Sequence, residues 1–146
     1  MKPDWEELTA HSQLDTVEVI RQLLEEEEYE EALQGLDELY DAMSKSHQHA
    51  LESQLSRLMA HALKWKYQPE KRSGSWVRTI ANARFEIEKI QKYNPALNDA
   101  YLRAIWDDAF ASGVKLAKAE MGMGRNEKFS PMPLTWDEVF EDDYIL

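Results

Sequence analysis

Residues 51–80 read LESQLSRLMAHALKWKYQPEKRSGSWVRTI. Leu51, Leu55, Leu58, Ala62 and Trp65 recur at three- and four-residue steps, which puts them on one face of an α-helix. Pro69 forces Gln68 away from helical geometry, so the helix ends there. Ser75 then stands as an N-cap. Trp76, Ile80, Ala83, Ile87 and Ile90 resume helical spacing in strict four–three alternation until Asn94-Pro95 stops it. Helix, tight turn, helix is the unit from which the rest of the chain is read.

Upstream, Leu36, Tyr40, Met43 and His47 continue the first stripe in register. They predict one long helix over about Glu30–Tyr67 with that stripe inward. Ser44 and Ser46 compete for local backbone hydrogen bonds and mark the place where it would kink or restart. Leu14, Val17, Ile20, Leu23 and Leu24 predict an earlier helix over about Leu14–Glu26, with His11 in a loose N-terminus. The run Glu25–Glu28 opposes the dipole at that helix's end and predicts a break there, with Tyr29 tucked inward. Downstream, a helix over about Leu97–Glu120 turns Leu102, Ile105, Ala109, Gly113 and Leu116 inward. A mid-helix glycine costs ~1 kcal/mol against alanine, so Gly113 predicts a close helix–helix approach. Gly122 and Gly124 end this helix, and Thr135-Trp136-Asp137-Glu138 is a capping box opening a short last one. Strand alternation and internal repeats are absent. The expected fold is an all-α bundle of about four main helices, one of them long, plus a short C-terminal helix, in a single domain over residues 1–146.

The 146 residues, 43% of them hydrophobic and 31% charged, suffice for a folded core. Having no cysteine excludes disulfides, a thiol nucleophile and a thiolate metal site. The opening MKPDWEELTAH has acids where a signal peptide needs an apolar stretch, and no window approaches the ~18 apolar residues of a membrane span. A cytoplasmic location away from membranes is expected.

The net charge of −11 is unevenly spread. Residues 1–63 hold 15 acids and 4 bases, residues 64–92 hold 8 bases and 3 acids, and residues 93–146 hold 10 acids and 5 bases. Most of this surface repels a polyanion, and only the middle segment could approach one. There Lys64, Lys66, Lys71 and Arg72 stand among Trp65, Tyr67 and Trp76.

Residues 51–80 resemble the signature of the bacterial, largely cyanobacterial, domain of unknown function 29 family. The positions that carry the resemblance are His61, Lys64, Trp65, Tyr67, Gln68, Pro69, Arg72, Ser73, Ser75 and Trp76. Weaker matches follow at Ala109-Phe110, Glu120 and Gly122, and the closing FSPMPLTWDEVFEDDY is similar to the family's last segment. Gly35 departs from a usual Asn, the fourth helix lacks the Arg usual soon after the aromatic at Phe110, and Met121 and Met132 stand where Thr and Cys are common. The resemblance implies an α-helical domain and carries no catalytic residue, cofactor or partner with it.

Chemistry must therefore come from the residues. There is no G-x-S-x-G turn for a serine nucleophile and no glycine-rich nucleotide loop. His47 and His49 fall on different helix faces, and no Glu-x-x-His pair is present to build a carboxylate-bridged metal site. No catalytic residue, metal ligand or cofactor is assigned, and His61 is expected to be a buried histidine near the turn. The candidate surface is the basic turn: Lys66, Tyr67, Lys71, Arg72, Ser73, Gly74, Ser75 and Arg78. Backbone N–H groups at a helix start, with cations around them, suit a phosphate or carboxylate. On the other reading the turn is a structural corner, with Trp65 and Trp76 in the core and Arg72 paired to acids of the first two helices. The function expected is a non-enzymatic helical interaction module with a protein partner. The alternative is a small nucleic-acid- or nucleotide-associated protein using residues 64–78.

Overall fold

The computed structural model describes all 146 residues, and it is all-α with no strands. Seven helices follow in order: α1 (Trp5–His11), α2 (Gln13–Glu25), α3 (Tyr29–Tyr67), α4 (Gly74–Tyr93), α5 (Asp99–Ala104), α6 (Trp106–Glu120) and α7 (Trp136–Phe140). A 3₁₀ turn, Pro69–Lys71, lies between α3 and α4. No helix is long and apolar enough to cross a membrane. The chain forms two compact units, Met1–Gln48 and His49–Leu146, and α3 supplies a helical stretch to each.

In the first unit, the segment expected to be loose is helix α1. Asp4 caps it by accepting from the Glu7 N–H, and Ser12 caps α2 by accepting from the Asp15 N–H. Trp5, Ile20, Leu23, Ala32 and Leu39 make the core, with Leu8 and Val19 packed against it. Trp5 lies on Gly35, where an added Cβ would stand 2.5 Å from its ring. The turn after α2 closes on paired hydrogen bonds, Glu28 N–H to the Leu23 carbonyl and Glu27 N–H to the Leu24 carbonyl. Glu27 adopts φ 61°, a left-handed conformation usually given to glycine.

Here the expected inward stripe is corrected. Leu36 (47% exposed) and Tyr40 (73%) face solvent, as do Met43, His47 and Tyr29. Ala32, Gly35 and Leu39 are the residues that turn inward. Small residues on that row let Trp5 approach α3, so the bulkier row is left outside. Helix α3 runs unbroken through Ser44 and Ser46, because helical neighbours on both sides already satisfy its backbone.

In the second unit the stripe holds: Leu51, Leu55, Leu58 and Ala62 are buried and pack with Ile80, Ala83 and Ile87 of α4. Ser73, not Ser75, caps α4, its side chain accepting from the Trp76 N–H. The expected fourth helix is two helices, broken at Ile105. Ala117 turns inward in place of Leu116, which is exposed. Gly113 fulfils its reading, since a Cβ there would meet Met59 at 3.0 Å and the Ser56 carbonyl oxygen at 3.1 Å. The capping box at Thr135 and Glu138 is formed in both directions. Leu134 and Val139 bring the C-terminal segment into the core.

Candidate functional site

The basic turn is built by the end of α3, the 3₁₀ turn and the start of α4, all in the second unit. Most of its cations are occupied by neighbours. Lys64, only 6% exposed, pairs with the Glu120 carboxylate, and its Nζ lies 4.8 Å from the Trp76 ring centre. Lys66 bonds Glu138 at 3.2 Å. Arg72 does not pair with acids of the first two helices. It lies over the Trp65 ring at 4.7 Å and donates from Nε to the Trp65 carbonyl at 2.9 Å, satisfying a backbone acceptor at the end of α3. Tyr67 meets Phe129 edge-on, and its hydroxyl accepts the Met132 N–H at 3.4 Å.

Trp65 and Trp76 are half-buried rather than core. Trp65 meets Tyr144 edge to face at 5.4 Å. The Tyr144 hydroxyl donates to the Glu138 carbonyl at 2.5 Å, and burial pushes its pKa up to about 12. Arg84 donates to the Val139 carbonyl at 2.8 Å and lies over the Tyr144 ring. Burial alone would raise the Glu138 carboxyl, but the Thr135 N–H and Lys66 outweigh it and hold it below its usual value. Cations and aromatics of α3 and α4 thus grip the segment from Phe129 to Tyr144. The partners Arg84, Glu120, Glu138 and Tyr144 were not legible as such, since no local spacing links residues 56 or 72 positions apart.

What remains open at the turn is smaller than the sequence suggests. Lys71 and Arg78 are exposed and make no ion pair, Ser75 is exposed, and Gly74 faces open space. Ser73 is engaged as the cap. His61 is buried, with Nδ1 3.0 Å from the Arg57 carbonyl, so the ring proton sits on Nδ1. Burial lowers its pKa, the Arg57 carbonyl opposes that, and the charge of Lys64 reinforces it. No group of three or more His, Asp or Glu side chains is placed to hold a metal ion.

A second candidate surface lies in the first unit. Four tripeptides share one pattern: a buried residue, an exposed apolar one, then an exposed acid. They are Thr16-Val17-Glu18 and Leu23-Leu24-Glu25 on α2, and Gly35-Leu36-Asp37 and Leu39-Tyr40-Asp41 on α3. Each step is 100° of rotation, so in both helices an apolar row flanks the buried row in the same sense, with acids beyond it. Ile20 and Leu23 of α2 share one core with Ala32 and Leu39 of α3 across the short link Glu26–Glu28. Two helices that double back on so short a link carry rows flanking their shared core in the same sense on one face of the pair. Helix α1 takes the other side, with Trp5 on Gly35 and Leu8 lining a cleft with Val19. On α3 the exposed row is Tyr29, Leu33, Leu36, Tyr40 and Met43, in four–three alternation. The signal was present in the sequence as two competing rows, and the larger side chains pointed to the wrong one.

A family model described as "Domain of unknown function DUF29" matches residues 13–145. No curated protein and no solved structure matches the chain. The match takes in both units apart from α1, and includes the gripping residues of α3 and α4 with the segment they hold. The protein therefore belongs to the DUF29 family, a domain of unknown function.

Proposed function

We propose that the protein is a non-enzymatic helical interaction module that receives a helical protein partner on the acid-rimmed apolar face of its first unit. The observation that carries this is the exposed row Tyr29–Leu33–Leu36–Tyr40–Met43, set at the spacing by which one helix reads another. Soluble monomers rarely expose contiguous apolar rows of this kind without a use for them. We also place it in the cytoplasm, since a chain with no cysteine needs no oxidising compartment to fold.

The second reading, a nucleic-acid- or nucleotide-associated protein, keeps Lys71 and Arg78 as its unpaired cations at the turn, beside exposed Ser75 and Gly74. Two phosphate contacts give little affinity at physiological salt. Titration of the labelled protein with a synthetic Leu/Lys heptad peptide, and separately with single-stranded RNA, tests both by amide chemical shifts. Peptide-induced shifts confined to residues 14–43 and lost in Leu36→Asp/Tyr40→Asp support the proposal. RNA-induced shifts at Lys71 and Arg78, with residues 14–43 silent to the peptide, overturn it.

A further inference from the structure

We infer that the helix received by this face is α4 of a second copy of the chain, so that the protein associates head to tail. The inference rests on the interaction-module reading and names its partner. The outer row of α4 is Arg78, Asn82, Phe85, Lys89 and Lys92, all exposed, and it points directly away from the buried Ile80, Ala83 and Ile87. Its spacing is four–three–four–three, the same alternation as the exposed row of α3. Each row covers fourteen residue steps, about 21 Å at 1.5 Å per residue. The two rows match in length and in pitch.

Their charges are opposite. The face on α2 and α3 is rimmed by Glu18, Glu25, Asp37 and Asp41, and only Glu18 has an ion-pair partner, Arg21. Residues 1–48 as a whole carry 14 acids and 3 bases. On the α4 row, Arg78, Lys89 and Lys92 make no ion pair, and Glu88 is the one exposed acid beside them. Between the cations stands Phe85, 64% exposed, with Tyr93 beside it, and these two rings line a shallow hollow with Lys89, Lys92 and Glu88. A phenyl ring flanked by lysines is the anchor that a leucine- and tyrosine-lined, acid-rimmed face accepts. Two copies of the acid-rimmed face would instead repel one another.

The face and the α4 row are different surfaces, so a contact between them leaves one of each unused in a pair and can continue to a third copy. Sedimentation of the full chain from about 1 μM to 1 mM at 0.15 M salt, the regime of a Debye length near 8 Å, reads this out. Two exposed-site variants are compared: Leu36→Asp/Tyr40→Asp on the face, and Phe85→Ala/Lys89→Glu/Lys92→Glu on α4. Circular dichroism confirms that both remain folded. The wild type is expected to associate with a mass that grows past the dimer. Each variant alone should associate at least tenfold more weakly, and a mixture of the two should form a two-chain species and stop there. A wild type monomeric up to 1 mM overturns the inference. If the α4 variant associates like the wild type and the face variant does not, α4 is the wrong occupant while the face itself stands. If both variants associate like the wild type, the inference and the assignment of the face fall together.

Discussion

Replacing Gly35 by alanine should destabilise the protein when Trp5 is present and stabilise it when Trp5 is gone. A Cβ on Gly35 would stand 2.5, 2.7 and 2.8 Å from three atoms of the Trp5 ring. Carbon atoms in contact prefer about 3.5–4.0 Å, so the ring must retreat by roughly an ångström or leave its site. It is poorly placed to retreat, being 8% exposed and tied by its indole N–H to Glu31 at 3.4 Å. Overpacking of this kind costs ~1–3 kcal/mol, and full expulsion of the ring approaches the ~3–5 kcal/mol of a Trp→Ala change. Against this, alanine in a helix interior is worth ~1 kcal/mol over glycine. The net loss expected for Gly35→Ala is therefore about 0–2 kcal/mol if the ring only shifts and about 2–4 kcal/mol if it is expelled. In Trp5→Ala the clash is absent, and the same substitution should gain ~1 kcal/mol from propensity alone. Urea denaturation of the four proteins of this double-mutant cycle, followed at 222 nm, gives the coupling directly. A Gly35→Ala effect of the same sign and size in both backgrounds would show that Trp5 does not lie on α3.

Glu27→Gly should raise the denaturation midpoint. A non-glycine residue in the left-handed region costs ~1–2 kcal/mol, and glycine gives back ~0.4–1 kcal/mol through unfolded-chain entropy. Glu27→Ala, which removes the charge but keeps φ 61°, should fall below Glu27→Gly, and equal midpoints for the two would refute the strain argument. His61 makes a pH prediction. Its folded pKa lies below the usual 6.5, so the unfolded chain binds the proton first and stability falls as pH drops from about 7.5 through 6.5 toward the folded pKa. Urea midpoints at pH 7.5 and 5.5 should separate less in His61→Asn than in the wild type, and identical separations would count against a buried neutral ring.

The second unit was the more legible half, and the reason lies in its residues. Leu51, Leu55, Leu58, Ile80 and Ile87 combine bulk with helical spacing, and no rival row of comparable size competes with them on α4 or on the part of α3 after Gln48. In the first unit two rows compete on α3, and hydrophobic size favours Leu36 and Tyr40 over Ala32 and Gly35. What decides between them is Trp5, an isolated aromatic before any periodic run, whose ring needs a small-residue surface. The break at Ile105 carries no proline or glycine and was therefore read through. At the turn, the clustering of cations and aromatics was legible, but its occupants were not. Lys66 and Glu138 lie 72 residues apart, and only the fold brings them together.

That separation has a consequence for how the chain is made. The grip on residues Phe129–Tyr144 joins the end of α3, Trp65 to Tyr67, to the C-terminal segment of the second unit, and Leu134 and Val139 close a core begun at Leu51. During translation at about 5–20 residues per second, roughly 4–15 seconds pass between the emergence of Lys66 and that of Glu138. Within that interval α4 emerges ahead of Leu134 and Val139, so the core of the second unit is incomplete while residues 1–48 already hold all of their own core partners. The nascent protein thus carries a finished unit ahead of an open one. A ribosome stalled after Lys128 would display a partly closed core, which is the stage at which a holdase chaperone has the most to bind.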